Sequence, residues 1–75
     1  MSRLPRVTGK DVLTALQRNG YTLIYIKGSH HYLEPPGGGP YITVPIHPGK
    51  ILKPRTLKSI LAESGLTVEE FKDML

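Results

Sequence analysis

The stretch YTLIYIKGSHHYLEPPGGGPYITVPI, residues 21–46, contains three short runs that are rich in aromatic and β-branched residues. Such residues favour strands, whereas Lys27-Gly28-Ser29 and the proline-glycine segment at residues 35–40 favour turns. The sequence therefore predicts strands at residues 21–26, 30–34 and 41–46. Because short connections join antiparallel neighbours, the three strands are expected to form one meander.

A first helix is predicted before the strands, over residues 9–19. Thr8 and Asp11 have the spacing of a capping box, in which each side chain accepts a hydrogen bond from the backbone N–H of the other residue. Gly20 is a favourable stop because glycine takes a positive φ without strain. This helix has one apolar stripe, formed by Val12, Leu13 and Leu16.

Two further helices are predicted after the strands. Pro54 suits the first turn of a helix, where a missing N–H costs no hydrogen bond, and Gly65 is a favourable stop. Thr67 and Glu70 repeat the capping-box spacing and begin a short C-terminal helix. The buried face of the longer helix is expected at Leu57, Ile60 and Leu61.

The third strand has one apolar face. Ile42, Val44 and Ile46 occupy alternate positions, and successive side chains of a strand point to opposite faces of the sheet. Pro45 has no N–H to donate, which favours the edge of a sheet. Two main helices with single apolar stripes cover only one sheet face, which leaves the other face to solvent or to a ligand. The expected fold class is α+β: an α-β-β-β-α order, a three-stranded antiparallel sheet, helices on one face and a short extra C-terminal helix.

Length and composition restrict the class of protein. The 75 residues are enough for one domain, residues 1–75, and the chain has no cysteine for disulfides or thiolate zinc sites. No apolar run approaches the roughly 20 residues that span a bilayer, and no apolar segment follows the N-terminal arginines as in a secretory signal. We therefore expect a cytoplasmic protein with no membrane association.

Positive charge is concentrated in the first sixty residues, which hold nine Lys or Arg against two acidic side chains. This imbalance indicates an anionic polymer, first of all a nucleic acid, as the partner. Lys50, Lys53, Arg55 and Lys58 flank the start of the second main helix, where the helix dipole favours negative charge. A bound phosphate would make this arrangement favourable, which indicates a phosphate-binding site. The alternative is that these side chains only keep the surface soluble.

His30 and His31 are adjacent in the predicted second strand. Their side chains point to opposite faces, so the two do not readily bind one ion. His47 could approach either of them, but three imidazoles without a cysteine are a poor metal site, and no metal or cofactor is expected. Histidine has a pKa near 6.5, so it can take and give a proton in metal-free cleavage of RNA by its own 2′-hydroxyl. The alternation does not tell which histidine is the better base, and a structural role is the alternative to catalysis.

Three segments together resemble the HicA family of bacterial toxins: Gly28-Ser29-His30-His31, TVPIHPGKILKPRTLKSIL at residues 43–61, and GLTVEEF at residues 65–71. The resemblance extends from about Lys10 to Phe71. It implies the fold of double-stranded-RNA-binding domains and a metal-independent endoribonuclease, an mRNA interferase, that is the toxin of a type II toxin-antitoxin pair. It also implies a cognate HicB-type antitoxin as a protein partner.

The family has one catalytic histidine, in the Gly-Ser-His-His motif. Matching by position, three residues after the glycine, selects His31 over His30 as the residue that the resemblance implies. A non-catalytic RNA-binding module of the same fold and a protein-interaction module are the alternative functions. Under the main hypothesis His31 is the general base or acid, and mRNA is bound by Lys27, Gly28, Ser29, His30, Lys50, Lys53, Arg55 and Lys58.

Overall fold

The computed structural model describes residues 3–75, which form three helices and one sheet. The order α-β-β-β-α-α confirms the expected fold class. The elements are α1 (Gly9–Arg18), β1 (Thr22–Lys27), β2 (His30–Glu34), β3 (Ile42–Pro45), α2 (Pro54–Ser64) and α3 (Val68–Met74).

The sheet is an antiparallel meander with the strand order β1-β2-β3. Leu33 of β2 pairs with Leu23 on one side and with Ile42 on the other. Pro45 ends the edge strand β3, as its missing N–H predicts. The pairing of β1 shifts by one residue between Leu23 and Tyr25, which is a β-bulge that the sequence analysis did not predict.

The helices lie on one face of the sheet, which we call the covered face; the other is the open face. Helices α1 and α2 pack on β3, and α3 packs on α1. Leu33 and Val44 are fully buried beneath this layer, together with Phe71 of α3. The predicted helix face at Leu57, Ile60 and Leu61 is buried as well. Full burial of each large apolar side chain stabilises the fold by about 1.5–3 kcal/mol.

Both predicted capping boxes are present. The Thr8 hydroxyl accepts from the Asp11 N–H at 3.1 Å, and the Asp11 carboxylate accepts from the Thr8 N–H at 3.0 Å. Thr67 and Glu70 make the same pair of bonds at 3.1 and 2.9 Å. The backbone N–H of Thr67 holds the pKa of the Glu70 carboxyl below its usual value, because the bond favours the charged form. Gly65 ends α2 in the left-handed conformation, with φ of 69°.

The segment before α2 pairs with the N-terminal segment, a contact that the sequence did not reveal. Thr8 and Ile51 form an isolated bridge, and the Leu52 N–H donates to the Val7 carbonyl at 2.8 Å. The start of α1 also lies against the end of β3, where a Cβ on Gly9 would overlap the carbonyl oxygen of Pro45. The loop from β3 to α2 is thereby held in place. Among residues 3–75, no helix is long and apolar enough to cross a membrane.

Candidate functional site

A two-residue turn places the adjacent histidines at the start of β2. Lys27 pairs with His30, which leaves Gly28 and Ser29 as the turn. Gly28 has φ of 59°, whereas Ser29 does not have a positive φ. A positive φ at only the first central position is the pattern of a type II′ hairpin turn, which glycine adopts without strain. The glycine therefore fixes where β2 begins and which face each histidine occupies.

The two histidines lie on opposite faces, as predicted from the strand alternation. His31 shares the covered face with Leu33, and its cross-strand partners are Ile26 and Val44. His30 is exposed on the open face. Within residues 3–75, no group of three or more His, Cys, Asp or Glu side chains is placed to hold a metal ion.

His31 lies at the border of the helix layer. Its partner Val44 is fully buried, whereas its other partner, Ile26, is 54% exposed although it points to the same face. The difference arises because α1 and α2 pack on β3 and leave the covered side of β1 largely bare. The half-buried imidazole of His31 thus has one packed side and one open side.

A hydrogen bond fixes the tautomer of the His31 ring. Its Nδ1 lies 3.2 Å from the carbonyl oxygen of Ser29. A carbonyl oxygen can only accept, so Nδ1 carries the proton, and the neutral ring keeps a lone pair on Nε2. The same carbonyl accepts from the Ile46 N–H at 2.8 Å. One backbone oxygen therefore orients the imidazole and anchors the end of β3.

A groove of about 380 Å³ lies between the end of β3 and the start of α2. We call it the basic groove; it is lined by Pro45, His47, Lys50, Ile51, Leu52, Lys53 and Thr56. Lys53 is the N-cap of α2, makes no side-chain capping bond, and is followed by no acidic residue in the first turn. Within residues 3–75, the N-cap residue thus gives the first N–H groups of α2 no side-chain acceptor, which is the usual setting for an anion at a helix N-terminus.

The structure divides the predicted basic group into two parts. Lys50 and Lys53 line the basic groove, whereas Arg55 and Lys58 are exposed on α2 outside its lining. Lys27 is exposed at the end of β1, beside His30. His31 does not line the groove either. It is connected to the groove through Ser29 and the backbone that follows β3.

Two features of this region were missed by the sequence analysis. His47, considered there only as a metal ligand, lines the basic groove with two lysines. On the open face, the rings of Tyr25 and Tyr32 stack with their centroids 4.3 Å apart and their planes 9° apart. The two-residue turn was the available signal for this stack, because pairing Lys27 with His30 also brings these tyrosines opposite each other. Desolvation and the neighbouring Tyr32 raise the pKa of the Tyr25 hydroxyl.

A larger pocket, of about 590 Å³, lies between α1 and the end of α3. Its charged lining residues are Lys10, Asp11 and Arg18, and it contains no histidine. The Asp11 carboxylate is already used in the cap of α1. We therefore assign the candidate site to His31 and the basic groove, where imidazole and lysine side chains are found.

These features define a class: a small basic α+β domain with an open three-stranded antiparallel sheet, helices on one face and a histidine at the border of the helix layer. The family model for the HicA toxin of bacterial toxin-antitoxin systems matches residues 9–66. The chain therefore belongs to the HicA toxin family, and the resemblance seen in the sequence is confirmed. The family generally consists of mRNA-cleaving toxins that pair with an antitoxin. No protein with a curated description matches the chain in sequence.

Proposed function

We propose that this chain is a metal-independent endoribonuclease, the toxin of a toxin-antitoxin pair, and that His31 is its catalytic histidine. The observation that carries the proposal is the bond from His31 Nδ1 to the Ser29 carbonyl oxygen. It leaves Nε2 as the basic nitrogen of a ring with a fixed orientation. Membership of the HicA family supports the reaction class.

The proposed reaction uses the 2′-hydroxyl of RNA as the nucleophile. His31 Nε2 takes the hydroxyl proton, the 2′-oxygen bonds to the adjacent phosphorus, and the bond from phosphorus to the 5′-oxygen breaks. The departing 5′-oxygen takes up one proton, from solvent or from the imidazolium. The products are a 2′,3′-cyclic phosphate and a 5′-hydroxyl. While the ring is charged, Nδ1–H continues to donate to Ser29, which stabilises the imidazolium.

The RNA backbone is proposed to bind in the basic groove. Lys50 and Lys53 supply charge there, and the first N–H groups of α2 supply donors for a phosphate oxygen. Lys27, at the turn before the histidines, is a second cation for the scissile phosphate, whose negative charge increases in the transition state. Arg55 and Lys58 contribute at longer range. Gly28, Ser29 and His30 contact the RNA through the turn.

The decisive experiment compares His31→Ala with His30→Ala in an RNA-cleavage assay that contains a chelator. Loss of one acid-base group slows a reaction by about 10²–10⁴-fold, so the His31 variant should lose at least a hundredfold. His30→Ala removes the same imidazole from the other face and should lose much less, because it removes a proposed RNA contact but no proton-transfer group. Circular dichroism checks that both variants fold. Equal rates for the parent and the His31 variant would refute the assignment.

The second candidate function is RNA binding without cleavage. The basic groove favours it, because phosphate contacts alone give affinity without chemistry. Parent protein that binds RNA but leaves it intact in the chelator assay would establish this function instead. In either case, we propose that a HicB-type antitoxin neutralises the toxin by covering His31 and the basic groove with an acidic surface.

A further inference from the structure

We propose that the open face of the sheet is a stacking platform for the unpaired bases of single-stranded RNA, which extends the binding site beyond the basic groove. The inference rests on the proposed function, because it names the form of RNA that the toxin takes. The platform consists of Tyr25 and Tyr32, and its cationic end consists of Lys27 and His30.

The strand register arranges this face in rows. Tyr25 of β1, Tyr32 of β2 and Thr43 of β3 form the middle row, because each pairs with the next across the sheet. The two tyrosine rings stack at 4.3 Å and are nearly parallel. Tyr25 is 48% exposed, and in the part of the chain that the structure describes the helices lie on the other face of the sheet. The two rings are therefore already stacked, with the Tyr25 ring about half exposed, before any ligand arrives.

The next row supplies charge of the sign that RNA requires. It consists of Lys27, His30 and Pro45. Pro45 also lines the basic groove, so this row continues into the site of Lys50 and Lys53. An RNA strand with bases on the tyrosines would have its phosphates directed towards these cations. Such a combination of aromatic platform and cationic track is typical of single-strand binding.

The other end of the platform carries opposite charge. Glu34 pairs with Thr22 in the row beyond the tyrosines. The carboxylate repels phosphate, so the backbone is expected to pass over the end with Lys27 and His30 rather than over this one. Bases in a duplex stack on each other and offer no free face. The ligand that fits this surface is thus a single strand of RNA.

The experiment measures binding in the His31→Ala background, which is expected to be cleavage-silent and leaves the open face unchanged. Tyr25→Leu/Tyr32→Leu removes both rings but keeps apolar side chains, and Tyr25→Phe/Tyr32→Phe keeps the rings. The probes are a labelled RNA of about 12 nucleotides without self-complementarity, and the same RNA annealed to its complement. Base stacking on these aromatic side chains should contribute at least about a tenfold increase in affinity.

We expect the leucine variant to bind the single strand at least about tenfold more weakly, the phenylalanine variant to stay within about threefold, and neither to change duplex binding. The chain has no tryptophan, and two of its four tyrosines form the platform, so the difference in tyrosine fluorescence between the parent background and the leucine variant reports on the platform. The single strand should quench this fluorescence in the parent background and less in the leucine variant. If the double leucine variant does not fold, Tyr25→Leu alone serves, because its ring is half exposed.

Equal single-strand affinity of the leucine and phenylalanine variants would overturn the platform. So would an equal loss of single-strand and duplex binding, which would show a general effect of the substitution. Unchanged RNA affinity with loss of neutralisation by a co-expressed antitoxin would make this face a protein interface instead. These results are separate from the cleavage test: the platform can fail while His31→Ala still abolishes cleavage, and the binding contrast can hold for a chain that does not cleave.

Discussion

His31 and His30 are neighbours in β2, yet the first lies at the border of a packed layer and the second lies in solvent. The ring of His31 is held by the Ser29 carbonyl oxygen and flanked by the buried Val44. His30 is instead part of an exposed row with Lys27. A step of one residue along a strand thus separates a histidine held by a backbone carbonyl from one that is exposed beside a lysine. The comparison shows that two residues of the same type have different surroundings because they lie on different faces of the sheet.

The largest expected effect is on stability, which a substitution on the covered face should lower more than a substitution on the open face. Leu33→Ala leaves a cavity under the helix layer, and such changes cost about 2–5 kcal/mol of the free energy of unfolding. Tyr32 is the neighbour of Leu33 and lies on the open face. Tyr32→Ala removes a cross-strand contact and a half-buried ring, which should cost about 1–2 kcal/mol. Urea unfolding followed by circular dichroism measures both. Equal losses would mean that the open face is packed in the folded protein.

A smaller effect is expected on the salt dependence of RNA affinity, to which the lysines of the basic groove should contribute more than the cations of α2. Lys50→Ala/Lys53→Ala and Arg55→Ala/Lys58→Ala each remove two positive charges, but only the first pair lines the groove. Each lost phosphate contact reduces the slope of log affinity against log salt by about 0.7 for single strands. The groove variant should therefore lose about 1.4 of that slope, and the control variant less than half as much. Fluorescence anisotropy at several salt concentrations measures it; identical slopes would reduce the groove to part of a general positive field.

The smallest expected effect is a change in melting temperature at the N-terminus of α3, whose cap differs from that of α2. The first turn of α3 contains Glu69 and Glu70, whereas the first turn of α2 contains no acidic residue. The folded-state pKa of Glu70 is lowered, so its stabilising contribution is present above the unfolded-state value of 4.5 and is lost as pH falls through the lower folded-state value. Glu70→Gln should melt at a slightly lower temperature than the parent at pH 7, and the difference should vanish in acid. A difference that is constant with pH would mean that the charge of Glu70 is not what stabilises the cap.

Most of the fold could be predicted because its signals are local. The boundaries of β2 and α2 and the two capping boxes follow from side chains within three or four residues of the element that they end or begin. The bulge between Leu23 and Tyr25 and the bridge between Thr8 and Ile51 could not be predicted in this way. Both depend on backbone groups that only the folded chain brings together.

The candidate site was only partly predictable. The motif gave His31 through family resemblance, and composition gave the set of cations, but neither gave their arrangement. The structure divides the cations, with Lys53 in the basic groove and Arg55 outside it, and adds His47 to the same groove. The groove exists because β3 and α2 meet there, and no local pattern encodes the distance between two elements.

The sequence by itself determined the order of the elements, the opposite faces of the adjacent histidines and the excess of positive charge. Composition is sufficient for the charge, and local hydrogen bonds and alternation over a few residues are sufficient for the other two. Only the tertiary structure decided that the helix layer packs on β3 and leaves the covered side of β1 largely bare, so that His31 is half-buried with its Nδ1 on a carbonyl oxygen. The physical reason is that covering one face of a sheet is settled by the packing of distant apolar side chains, and the position of the helix layer determines which polar groups remain within reach of a ligand.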